Sequence, residues 1–271
     1  MMETKVINEI QDLRYLKWSH IRSSSGTAGT FLKSESVVGG KKVYYKLSNF
    51  DSVNGVVGHE CVNEIIVDRL LTILGVEHLR YELIHALVEI EGKTWETYLC
   101  ASEDFKKEKE SKTALDNYYR VNAFSGESHY DFCVRNGWGK YADQMIAVDY
   151  LILNRDRHGA NIEVLRNARK KTIRLAPLFD HGLSFLCTCA NEKEAEKFDV
   201  MEDKRCQNFI GSMSCLENLD LIQDKKKVFP GKLKSSDREI LFRDLDGVIK
   251  DIYMDKIWEM ISERFKYYES L

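Results

Sequence analysis

Apolar and polar positions alternate along this chain in blocks that predict a definite order of elements. Residues 30–38 and 41–47 alternate with a period of two and are split by Gly39-Gly40, which predicts two strands joined by a two-residue hairpin turn. Over residues 58–74 the period changes. Cys61, Val62, Ile65, Ile66, Leu70, Ile73 and Leu74 recur at helical spacing, and Gly75 follows as a natural stop. Residues 81–90 and 93–99 predict a second hairpin around Gly92, and 141–153 predict a helix with Met145, Ile146, Val148, Leu151 and Ile152 on its core face. A short hairpin is expected over 162–165 and 172–175. Ser236-Asp237-Arg238-Glu239 reads as a capping box opening a helix, and 252–268 as a final amphipathic helix. The first residues are mixed, with Val6, Ile7, Ile10, Leu13 and Leu16 at near-helical spacing. Strands thus crowd the first hundred residues and helices dominate the rest, an α+β pattern.

Composition narrows the class of molecule. A hydrophobic share of 44% and a charged share of 31% are those of an ordinary globular chain. A net charge of −3 argues against a nucleic-acid binder driven by bulk charge. No apolar run is long enough to span a membrane, and Met1-Met2-Glu3-Thr4-Lys5 lacks the basic-then-apolar opening of a signal peptide. Seven cysteines, an odd number without framework spacing, predict reduced thiols and a cytoplasmic setting. No direct nucleic-acid contact and no membrane association are expected.

The chemistry concentrates in Asn154-Arg155-Asp156-Arg157-His158-Gly159-Ala160-Asn161 and, downstream, Phe179-Asp180-His181-Gly182. Asp156 precedes Asn161 by five positions, and Asp180 opens a turn ending in glycine. This is the spacing by which protein kinases place a carboxylate beside the attacking hydroxyl and two oxygen ligands around Mg²⁺. Hard oxygen donors suit Mg²⁺, so Asn161 and Asp180 are the expected metal ligands, and Asp156 is the expected catalytic carboxylate that accepts the hydroxyl's proton. His158 and His181 each sit inside a motif and fit hydrogen-bonding roles better than metal ligation, with His158 also a candidate nucleotide contact.

Upstream features fall in the order that such a site requires. The run of small residues at 23–30 holds Ser25, Gly26, Thr27, Ala28 and Gly29, whose backbone N–H groups could cradle phosphates. Lys46, flanked by apolar residues, occupies the place of the phosphate-contacting strand lysine, with Tyr44 bulkier than is usual two positions earlier. Glu60 and Glu64 share one face of the predicted helix, and either could pair with Lys46. Tyr98, Leu99 and Cys100 are the expected adenine-binding hinge, with the chain dividing near residue 101 into an N-lobe (1–101) and a C-lobe (102–271). Residues 106–113 read as a solvated surface segment, the aromatics of 114–138 as packing residues, and 183–221 as a segment facing the substrate.

The Asp-Arg-His-x-x-Asn wording is similar to that of phosphatidylinositol kinases. With Ala176-Pro177-Leu178-Phe179-Asp180 leading into the second motif, the chain resembles still more the HipA-like and CtkA-like bacterial serine/threonine kinases. That resemblance implies a two-lobed protein-kinase-like fold with a small antiparallel sheet in the N-lobe, ATP and Mg²⁺ as cofactors, and autophosphorylation as a simple readout. It favours Glu64 over Glu60. HipA proteins carry an extra N-terminal subdomain for which this chain has no room, so the compact CtkA-like form is expected. The resemblance also implies a protein substrate and raises an antitoxin-like partner. Two other readings stay open: a lipid or small-molecule kinase, and a nucleotide-binding module without catalysis.

Overall fold

The computed structural model describes residues 4–21 and 28–271, with side chains left undescribed at 20–21 and 28–30. The first hairpin forms where alternation places it. Strands β3 (Ala28–Val38) and β4 (Lys41–Leu47) pair antiparallel from Val38↔Lys41 to Lys33↔Lys46. Gly39 and Gly40 both take positive φ, 57° and 79°, the backbone that a tight turn between twisted strands requires. The second hairpin joins β7 (Glu82–Ile90) to β8 (Lys93–Glu103). With β1 (Val6–Asp12) and β2 (Ser19–Ile21) they build a six-stranded sheet in the order β1-β7-β8-β4-β3-β2. A small ladder, β5 (Phe50–Asp51) with β6 (Gly55–Val56), follows β4.

The near-helical spacing at the start of the chain belongs to a strand. β1 runs parallel to β7, making the edge pair the one parallel pair of this sheet, and its register shifts between Ile7 and Gln11. Val6 packs toward the main core, while Ile7, Leu13 and Leu16 turn onto the far face of the sheet. A bulged strand followed by a turn spreads apolar residues three or four apart without any helix.

The sheet has two distinct faces because side chains alternate across a strand. Tyr45, Leu47, Leu99, Ala101, Ile84 and Ala86 point to the far face, closed by Leu16 and Trp18. Lys46, Cys100 and Leu83 lie in register across β4, β8 and β7 and point the other way, toward helix α1 (Glu60–Leu74). α1 is sandwiched between the sheet and the helical part, so twelve consecutive positions from Glu60 to Leu71 are buried. It ends at Gly75 in the left-handed region at φ 71°.

After β8 the chain crosses to β9 (Ser111–Ala114), which pairs with β11 (Glu163–Asn167), itself paired with β12 (Thr172–Leu175). The solvated segment expected over 106–113 therefore contains a strand. Helices α2 (Leu115–Asn122), α3 (His129–Arg135) and α4 (Gly139–Ile152) follow, with Phe132, Met145, Ile146 and Leu151 in the main core. Helix α5 (Glu192–Glu196) is short, and α6 (Asp237–Phe242) lacks the expected capping box. Ser236 takes helical angles and makes no cap bond, because the Asp237 carboxylate accepts the Lys234 N–H at 2.7 Å and starts the turn instead. α7 (Asp251–Ser270) closes the helical part through buried Arg264, which donates to the Val200, Tyr150 and Glu202 carbonyls. The seven cysteines are free thiols. Among the described residues, no helix is long and apolar enough to cross a membrane.

Candidate active site

Three elements deliver one charged cluster. Lys46, near the end of β4, faces α1 because its neighbours Tyr45 and Leu47 fill the far core. Its Nζ donates to Glu64 Oε1 at 3.0 Å and to Asp180 Oδ1 at 2.6 Å. Glu64 has no exposure. Its two oxygens also accept the His181 N–H at 2.9 Å and the Gly182 N–H at 3.1 Å. Asn63, one residue earlier on α1, donates to the Gly182 and Ser184 carbonyls. Helix α1 thus holds the Asp-His-Gly turn by three hydrogen bonds and the chain just beyond it by a fourth.

Those bonds support a backbone that would otherwise be strained. Asp180 has φ 61°, a left-handed conformation that is uncommon for a residue with a side chain. The glycine of the turn sits in a tight space: a Cβ on Gly182 would lie 3.1 Å from Glu60 Cβ and 3.2 Å from Lys46 Nζ, so these neighbours would have to give way by a few tenths of an ångström. The lead-in is fixed too. Leu79 donates to the Leu178 carbonyl at 2.8 Å, Phe179 packs on Phe105 with ring centroids 5.4 Å apart, and the Asp180 N–H approaches the Tyr81 hydroxyl oxygen at 3.4 Å.

The geometry chooses between the two helix acids. Glu64 meets the lysine, whereas Glu60, one turn nearer the start, accepts the Asn49 N–H at 3.2 Å. Burial works against the Lys46 ammonium, but Asp180 and Glu64 outweigh it and hold its pKa well above the ordinary lysine value. Burial also works against the Glu64 carboxylate, and the adjacent ammonium with the His181 hydrogen bond reverses this, leaving its pKa lowered. Burial pushes the His181 pKa down, so its imidazole is neutral near pH 7.

The second motif follows α4. Leu153, at φ 50°, turns the chain out of the helix and into the loop 154–161. Asp156 is partly exposed there, and Asn161 is buried with its Nδ2 donating to the Asp156 carbonyl at 2.8 Å. His158 Nδ1 accepts the Ala160 N–H at 3.2 Å, and its Nε2 lies 3.6 Å from Asp156 Oδ1. Two residues, Asp156 and Arg157, form a short parallel ladder, β10, with β13 (Gln207–Asn208). Part of the segment over 183–221 is thereby fastened to this loop.

A cavity of about 520 Å³ opens beside the cluster, lined by Tyr44, Lys46, Cys100, Ser102, Phe105 and Asp180 among others. Not every expected residue reaches it. Leu99 points into the far core, and Tyr98 stacks on His85 with ring centroids 4.5 Å apart; neither lines the cavity. β8 continues to Glu103, past the expected strand end at Leu99, and the cavity meets this part of the chain at Cys100, Ser102 and Phe105. Ser25, Gly26 and Thr27 lie outside the described residues, while Ala28 and Gly29 open β3. Sequence reasoning missed Asn63, Tyr81 and the buried pair Asp149–Arg157. A signal for the last was available: Asp149 is a lone acid within the apolar stretch 145–153, and a buried charge needs a partner.

No protein-family model matches the sequence, and no curated protein matches it. Solved structures do. The proinflammatory kinase CtkA of Helicobacter pylori is similar over 94% of this chain and 93% of its own, at 15% identity and a TM-score of 0.59. HipA of Shewanella oneidensis MR-1, from a toxin–antitoxin complex with HipB and operator DNA, aligns over 93% of this chain and 66% of its own, at 13% identity and a TM-score of 0.46. The chain has a two-lobed protein-kinase-like fold, a small, mostly antiparallel sheet set on a mainly helical lobe.

Proposed function

We propose that this chain is an ATP- and Mg²⁺-dependent kinase that transfers a phosphoryl group to a serine or threonine hydroxyl of a protein. The observation that carries this reading is the meeting of Lys46, Glu64 and Asp180 beside a cavity of nucleotide size. An ammonium has three donors. Two are directed at Glu64 and Asp180, and the third is the one for a phosphate oxygen.

The donor set fits the ion. Asp180 offers a carboxylate and Asn161 an amide oxygen, both hard ligands of the kind Mg²⁺ takes while keeping several waters. The Asn161 NH₂ is directed at the Asp156 carbonyl, an orientation compatible with the amide oxygen serving the ion. When bound, Mg²⁺ neutralises charge on the phosphate oxygens. Asp156 orients the acceptor hydroxyl and takes its proton as the new oxygen–phosphorus bond forms and the bond to ADP breaks. Ser102 and Phe105 border the adenine end, and we place the crossing between lobes after Glu103.

Intact-mass measurement of the full chain after incubation with Mg-ATP tests the reading. Gain of phosphate in the wild type, reduced by about two orders of magnitude or more in Asp156→Asn, is the expected result. Phosphate transfer only to an added lipid or metabolite would change the acceptor class. Equal transfer by Asp156→Asn would overturn the assignment of this loop.

A further inference from the structure

Asp149 lies in the last turn of α4 and has no exposure. A carboxylate so placed is costly unless it is paired and hydrogen-bonded. The donors come from the loop 154–161. Asn154 Nδ2 donates to Oδ1 at 2.8 Å, Arg157 Nη2 to Oδ1 at 3.0 Å and Arg157 Nε to Oδ2 at 3.0 Å. Arg157 is itself fully buried, and its other arm, Nη1, donates to the Phe179 carbonyl at 2.7 Å. Asn154 in turn accepts the Asp156 N–H at 3.2 Å.

One helix carboxylate is therefore the reference for both motifs. Asp156 is tied to it through Asn154, and the peptide that precedes Asp180 is tied to it through the guanidinium. A buried ion pair adds little net stability, because desolvation offsets the attraction; its better-attested use is to specify an arrangement. The planar guanidinium can clamp a carboxylate with one edge and reach a carbonyl with the other, and an ammonium cannot do both.

We infer that Arg157, clamped by Asp149, is a positioning residue that sets the distance between the Asp156 loop and the Asp180 turn. The inference rests on the kinase reading, and its test separates the two. Absence of phosphoryl transfer in the wild type would strike the reading alone; the exchange measurement below still decides the inference.

Two variants of the full chain are compared with the wild type. Arg157→Lys keeps the charge and loses the fork. The double variant Asp149→Leu/Arg157→Met replaces the pair with apolar groups, a change that buried pairs often tolerate, so it carries the test where Arg157→Lys does not fold. Both are expected to lose about 10²-fold in kcat, because Asp156 is displaced from the acceptor hydroxyl, and to show a raised KM for Mg-ATP, because the Asp180 turn shifts with it. Amide hydrogen exchange at residues 180–182 is expected to rise about tenfold or more while α7 stays protected. A folded double variant with wild-type kcat, or with unchanged exchange at 180–182, would show that the pair is only structural.

Discussion

Lys46 and Asp180 stand 2.6 Å apart, Nζ to Oδ1, although 134 residues separate them in the chain. The contact is shorter than the one between Lys46 and Glu64. It exists because Glu64 accepts the two N–H groups that follow Asp180, so the helix places the turn and the strand lysine meets it. Strand, helix and turn each supply one charge, and each charge is oriented by the other two.

The Asp180 carboxylate is expected to control metal-dependent nucleotide binding. Calorimetry with ATP should show Mg²⁺ strengthening binding in the wild type and having little effect in Asp180→Ala. An equal enhancement in both proteins would remove Asp180 from the metal site.

Lys46 and Glu64 are expected to be coupled. Glu64 is fully buried and Lys46 nearly so, and loss of either leaves the other partly uncompensated. In a double-mutant cycle with Lys46→Met and Glu64→Gln, unfolding free energies should depart from additivity by about 0.5–3 kcal/mol. Additive losses would mean that the bond between them contributes nothing.

The same burial predicts the response to pH. His181 and Glu64 both have lowered pKa values in the folded chain, so each contributes stability above its unfolded value and loses it as pH falls through the folded one. The loss begins below 6.5 for His181 and below 4.5 for Glu64. Lys46 works in the opposite direction. Its raised pKa contributes stability that is present below 10.5 and disappears as pH climbs through the folded value. Thermal unfolding of the wild type and Glu64→Gln should therefore converge as pH drops below 4.5. A gap that stays constant into acid would show that Glu64 is not ionised in the fold.

Local signals made much of this legible. Gly39-Gly40 marks a turn that only positive φ satisfies, and the helical period of 58–74 ends at the glycine that caps it. The spacing of Asp156 and Asn161 is a local property of one loop, and the structure ties the two by a direct hydrogen bond. What local signals left open or misplaced depended on distant partners. Glu60 and Glu64 share a helix face, and only the position of the Asp-His-Gly turn decides which meets Lys46. The end of β8 is set by its pairing with β4, where Val43 meets Glu103, and nothing between Tyr98 and Glu103 announces it. The opening strand is held by a parallel neighbour some eighty residues away, which periodicity within its own stretch cannot reveal.

The span between Lys46 and Asp180 bears on how the molecule comes into being. The β3–β4 hairpin closes within a few residues, whereas the bonds from Glu64 to His181 and Gly182 close loops of 117 and 118 residues. Contacts so remote in sequence form late, after their closure entropy has been met. A chain emerging from the ribosome would have its sheet and α1 before the turn at 180–182 exists. Until the turn arrives, Lys46 and Glu64 face each other without their third member, and the nascent protein holds a nearly complete framework around an unfinished centre.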